Sequence, residues 1–213
     1  MYKRITIYVL GLFILSLGVA FSILSKLGVS PISSVAYVLH NVTGLSIGTI
    51  TMMEFSVYVL AQIVLLRKKF KMRSFLQLGF GIAFGLFVDL SLFITTIFRI
   101  DNVLVQSGYL VLSIILIALG LVFILTADIV PNAPEGLMLA IKDIFKFKFS
   151  NIKTIFDSSC VIFSSLIAIF LLVEFSQSGI GIGTLLTALL VGKVLGFFMS
   201  RMKKPLVLFM KSR

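Results

Sequence analysis

The sequence has no tryptophan, one cysteine (Cys160), one histidine (His40), four prolines and only eight acidic residues in 213. A single cysteine excludes an internal disulfide and a cysteine-based metal site. A single histidine excludes a multi-histidine site, so no metal and no cofactor is expected. Charge of either sign is also scarce, at 13% of residues against about a quarter in soluble domains. What fills the space is apolar: 59% of the chain, with a mean hydropathy of +1.17. So little charge cannot cover that much apolar surface in water, and a soluble domain is excluded.

The few charges are mostly basic, 19 Lys and Arg giving a net charge of +11. In a soluble protein this would point to nucleic acid. Here the basic residues flank apolar runs, where they anchor and orient helices against anionic lipid, so a bilayer is the expected partner and nucleic acid is not. Met1-Tyr2-Lys3-Arg4 before an apolar run imitates a signal peptide, but the run continues to Leu24 without a small-x-small cleavage site and is taken as a retained helix.

Long apolar stretches place spans at about 5–25, 47–66, 74–98, 108–127, 151–173 and 180–200. Two runs, 31–43 and 134–147, are too short to cross. Each opens on a helix start: Ser30 before Pro31, and Asn132-Ala133-Pro134-Glu135. Gly44 is a stop for the first. Lys3 and Arg4, the group from Arg67 to Arg73, Lys142 to Lys153, and Arg201 to Arg213 all fall on one side if neither short helix crosses. By the positive-inside rule both termini are then cytoplasmic, with 99–107 outside, in a plasma or inner membrane.

The two halves resemble each other. Leu17-Gly18-Val19-Ala20-Phe21 matches Leu119-Gly120-Leu121-Val122-Phe123, Pro31 matches Pro134, Thr51 matches Thr154 and Glu54 matches Asp157. The expected fold is therefore all-α and polytopic: six transmembrane helices plus two short re-entrant or interfacial helices, as two inverted-topology three-helix repeats. The first repeat would occupy 1–100, the second 108–202, and a basic cytoplasmic tail 203–213.

Leu27-Gly28-Val29-Ser30-Pro31-Ile32-Ser33-Ser34 with Tyr37, and further on Leu45-Ser46-Ile47-Gly48-Thr49, Gln62, Leu65-Leu66, Phe84-Gly85 and Asp89, resemble the YitT/YczE-type family of bacterial multi-pass inner-membrane proteins. The likeness covers the first half well and the second in outline. It implies a small bacterial membrane protein, possible transport among its functions, and no catalytic residues.

Ionisable groups inside spans are functional candidates because each costs several kcal/mol to keep there. Glu54 and Asp157 occupy equivalent repeat positions, roughly 10 Å along their helices, and suit a cation or proton path; hydration at an interface is the structural alternative. Asp89 and Lys193 fall mid-span in corresponding helices, and mutual pairing would maintain both. The helix starts at Ser30 and Glu135 carry free backbone N–H groups that could hold an anion, although Glu135 would repel one. More simply, the second short helix would lie along the interface, with Leu137, Met138, Ile141, Ile144 and Phe145 opposed by Lys142 and Lys146. Gly81/Gly85 and Gly192/Gly196 suit close helix packing. Gly179-Ile180-Gly181-Ile182-Gly183 lacks the strand and the lysine of a phosphate loop.

With no nucleotide site and no catalytic constellation, the chain is not expected to be an enzyme. The leading function is a secondary transporter or permease for a small polar or cationic solute. The alternatives are a membrane substrate-binding component of a multi-subunit transporter and a non-transport accessory protein. A homo-oligomer or an energising complex remain open as protein partners.

Overall fold

The computed structural model describes residues 2–98, 102–147, 149–171, 173 and 178–211. Arg99, Asp101, Lys148 and Arg213, used above for orientation, lie outside the described residues. Among those described, eight α-helices follow in order: α1 (Tyr2–Leu24), α2 (Pro31–Thr43), α3 (Ile47–Leu66), α4 (Leu76–Thr95), α5 (Val103–Ala127), α6 (Ala133–Phe145), α7 (Phe149–Phe170) and α8 (Ile182–Lys211). No strand occurs among the described residues. Six segments, Tyr2–Leu24, Ile47–Lys69, Met72–Thr95, Val103–Ala127, Asn151–Phe170 and Ile182–Met210, are long and apolar enough to cross a membrane.

The boundaries follow local chemistry. Gly44 ends α2 at φ +72°, its N–H donating to His40 O at 2.9 Å. The Ser46 side chain caps α3 by accepting from Thr49 N at 3.1 Å, and Asn102 caps α5 by accepting from Val105 N at 2.9 Å. Asn132 stands at the N-cap of α6 but makes no side-chain cap bond. α8 runs unbroken to Lys211 with Pro205 inside it, so the basic stretch from Lys203 to Lys211 continues the last helix.

The helices pack into two compact units, and these are not the two sequence halves. Unit 1 comprises Met1–Ser30, Phe87–Ile129 and Gly181–Arg213; unit 2 comprises Pro31–Leu86 and Val130–Ile180. Unit 1 therefore holds α1, the end of α4, α5 and α8, and unit 2 holds α2, α3, the start of α4, α6 and α7. Each unit draws elements from both halves.

Unit 1 is organised by α1 against α5. Lipid tails are as apolar as leucine, so helices in a bilayer associate through close packing. Three glycines provide it. A Cβ on Gly120 would stand 2.6 Å from Leu15 N and 2.8 Å from Gly11 O; one on Gly18 would stand 2.7 Å from Ile117 N. A Cβ on Gly11 would meet Ile124 and Phe123 at 2.9 Å. Ser16 and Ser91, both fully buried, share a hydrogen bond of 2.9 Å between α1 and α4. Gly192 and Gly196, expected to pack helices, have nothing within 4 Å of a Cβ. They lie on the outward face of α8.

The turn after α1 docks on the start of α8. Gly183 N donates to Leu27 O at 2.8 Å, and Gly28 has φ +131°. A Cβ on Gly28 would come 2.7 Å from Thr184 Oγ1 and 2.8 Å from Thr184 N. The glycines at 181 and 183 thus serve backbone contact, and Gly28 must be glycine on both conformational and steric grounds. Gly28→Ala is expected to lower stability by about 1–3 kcal/mol, measured as a lower Tm of the purified protein in detergent.

In unit 2, α2 packs on α7 and α3 packs on α6, with α2 also against α3 and α6 against α7. Gly85 and Gly81 do pack as expected: a Cβ on Gly85 would come 2.5 Å from Gly48 O, and one on Gly81 3.3 Å from the Phe55 ring. Phe55 stacks on Phe84 with ring centroids 5.4 Å apart. Ser34 of α2 donates to Ser164 of α7 at 3.0 Å, both fully buried. The first turns of α6 are not laid out on a free surface: Ala133, Pro134, Gly136, Leu137 and Met138 are buried in the unit, whereas Leu139 and the end, with Ile144 and Phe145, are exposed.

Candidate functional site

Within unit 2, α2, α3 and α7 line a half-open cavity of about 550 Å³. The size is within the range of small-molecule sites. Its wall is aliphatic and aromatic (Val35, Leu39, Ile50, Val57, Phe156 and Phe163 among others), with Glu54, Tyr58 and Cys160 as its ionisable groups. Glu54 and Tyr58 are one helical turn apart on α3, which puts both side chains on one face. Tyr58 Oη donates to Glu54 Oε1 and lies 4.0 Å from Cys160 Sγ on α7. The Phe156 ring meets Tyr58 edge-on, centroids 5.5 Å apart, and fixes where the hydroxyl points. Among the described residues the other oxygen of Glu54 takes no hydrogen bond. A carboxylate in an apolar wall with one oxygen free can bind a cation or a proton and is poorly suited to an anion.

The same unit carries a second polar group. On α7, Lys153, Asp157, Cys160 and Ser164 recur at intervals of four, three and four, so they share one face. Lys153 Nζ donates to both oxygens of Asp157, at 3.2 and 2.9 Å. Glu135, at the start of α6, has its Oε2 fully buried without a hydrogen-bond partner. Burial holds the Glu135 carboxyl above the usual carboxylate range, partly offset by the Lys153 ammonium. On α3, Gln62 lies beneath Tyr58 and exchanges amide hydrogen bonds with Gln77 at 2.9 and 3.2 Å, while also donating to Ala133 O at 3.2 Å. Both amides are 2% exposed, and a Cβ on Gly136 would come 2.8 Å from each. Gln62→Leu is expected to cost about 1–3 kcal/mol, because Gln77 is left buried and unsatisfied. The double change with Gln77→Leu should recover most of it, read as Tm in a double-mutant cycle.

The sequence candidates divide accordingly. Glu54, Asp157 and Glu135 belong to unit 2, and Glu54 lines the cavity. Asp89 and Lys193 belong to unit 1 and do not form the expected ion pair; Lys193 is exposed on α8, whereas Lys153 and Asp157 in unit 2 do pair. The reason is geometric. Equivalent depth on two helices does not make their faces meet, and the ammonium of Lys193 turns outward. Ser30 stands at the last position of unit 1's first segment, directly before α2. His40 closes the turn after its own helix, Nδ1 lying 2.6 Å from Leu45 O. Among the described residues no group of three or more His, Cys, Asp or Glu could hold a metal ion. Tyr58 and Cys160 were missed as partners of Glu54; the four-residue step from Glu54 to Tyr58 on α3 and the spacing of α7's polar residues could have indicated them. Gln62 enters the sequence reading only through the resemblance, and Gln77 not at all.

Six apolar helices and a cavity bearing a carboxyl group define the class: an α-helical, multi-pass membrane protein. The chain belongs to the family of unknown function DUF6198, whose model matches residues 2–200. It is 32% identical over 197 residues to the uncharacterized protein YyaS of Bacillus subtilis (strain 168), covering 90% of each chain. No solved structure matches it.

Proposed function

We propose that the protein is a permease of the bacterial cell membrane whose solute is a small organic monocation with an apolar body. The observation that carries this reading is Glu54: one carboxyl, held by Tyr58, in the wall of an otherwise apolar cavity of about 550 Å³. An apolar wall favours a hydrocarbon body, and a buried carboxylate favours one positive charge. The likeness to YitT/YczE-type membrane proteins agrees with this reading.

Alternation between two openings would come from an inverted repeat. Two features support one. Gly18 and Gly120, equivalent in the two halves, each receive the other's helix. The packing of α2 on α7 and of α3 on α6 is exchanged by the same swap of halves. The short helices then enter the protein from opposite faces as re-entrant elements, and the basic clusters put both termini in the cytoplasm. Reporter fusions after residues 70 and 205 are expected to read cytoplasmic and one at residue 103 external; a cytoplasmic signal at 103 overturns the arrangement.

The functional test uses purified protein. Alkylammonium ions of graded chain length are expected to raise its Tm, since a ligand of the folded state stabilises it, and to enter liposomes containing the protein alone. Binding without flux would favour a substrate-binding component that needs an energising partner. Equal stabilisation by alkyl carboxylates of the same length would overturn the cation reading.

A further inference from the structure

The second cluster of unit 2 lies outside the cavity wall, since neither Glu135 nor Lys153 lines it. It holds two carboxyl groups and one ammonium. Lys153 is committed to Asp157 through both oxygens, whereas Glu135 Oε2 meets neither solvent nor a donor. Fully ionised, the three would leave a net negative charge next to an unsolvated oxygen, a costly arrangement in the protein interior. One bound cation removes it. A sodium ion needs several oxygen ligands, and the amide oxygens of Gln62 and Gln77, which lie against Gly136 next in the chain, accept from each other's amide groups. A proton needs only the one oxygen.

We propose that Glu135, Lys153 and Asp157 form a proton-binding site in unit 2, with the proton on Glu135 as long as Lys153 is held by Asp157. The charged groups toward Glu135 come from α7, namely Lys153 and Asp157, with Cys160 one turn beyond; α3 and the start of α4 present the neutral Gln62 and Gln77. On α6 itself, Lys142 and Asp143 are exposed at the far end. The balance is simple: when Lys153 leaves Asp157 for Glu135, Glu135 gives up its proton and Asp157 takes one up. Ammonium and proton exchange places, and the cluster's net charge is conserved. Burial, which raises the Glu135 carboxyl, acts in the same direction.

The sign for stability follows. A carboxyl whose folded value lies above its ordinary 4.5 contributes stability that is complete below 4.5 and is lost as pH rises through the folded value. The Tm of the wild type should therefore fall as pH rises above 4.5, and E135Q should flatten that dependence. The direct readout is the infrared C=O band of a neutral carboxylic acid, recorded against pH in an E54Q background so that Glu54 does not contribute. The band attributable to Glu135 is expected to persist above the ordinary carboxylate range. D157N, which frees Lys153 to pair with Glu135, should move its disappearance to lower pH. K153M should move it to higher pH and serves as the check if E135Q fails to fold. An unchanged band in both D157N and K153M would overturn the proposal. So would restoration of high-pH Tm by sodium at fixed pH, which would make the ligand a metal cation.

Discussion

Glu54→Gln is expected to weaken binding of alkylammonium ions by about 10–150-fold, the loss of about 1.5–3 kcal/mol that a hydrogen bond to a charged group supplies. The substitution keeps the length of the side chain and its bond to Tyr58, so the helix packing around the cavity should persist and the Tm without ligand should change little. Titration of the purified variant by Tm shift or calorimetry measures the affinity. Tyr58→Phe offers a graded comparison: it removes the hydroxyl that orients Glu54 while leaving the ring against Phe156, and should cost less than loss of the charge. Unchanged affinity in Glu54→Gln would place the cation elsewhere and leave the cavity as a site for neutral solutes.

The largest structural effect is expected at the crossing of α1 and α5. Gly120→Val would push a branched side chain into Leu15 N and Gly11 O, which are backbone atoms and cannot turn aside. Overpacking of this kind costs about 1–3 kcal/mol or more, and here α1 would have to move bodily away from α5. The Tm should fall by several degrees and the yield of folded protein should drop. Gly18→Val at the equivalent position should behave alike, because Ile117 N blocks it in the same way. Gly192→Val is the control: a Cβ there meets nothing within 4 Å, and the change should stay within about 0.5 kcal/mol. Equal losses at 120 and 192 would mean that close approach at 120 is not what holds the pair.

Everything that depends on neighbours in the chain was legible in the sequence. The helices were readable because long apolar runs, Pro31 at the start of α2 and Gly44 after it act within a few residues of themselves. The membrane class followed from hydropathy alone, since no arrangement of so apolar a chain has enough polar surface for water. Glu54 stood out because a carboxyl inside a span is costly wherever the helix is placed. The rest depended on which helix faces meet, and hydropathy is nearly blind to that when lipid and protein are equally apolar. Thus Asp89 and Lys193, matched in depth, face different surroundings, while Gly192 and Gly196, matched in spacing to Gly81 and Gly85, face none. Tertiary structure alone decided that Tyr58 and Cys160 meet at Glu54. It also decided that Gln62 and Gln77 bond to each other, and that one oxygen of Glu135 is buried and unpartnered. The Tyr58–Cys160 and Gln62–Gln77 contacts join different helices, and only the packing of α3 beside α7 and beside the start of α4 brings them into range.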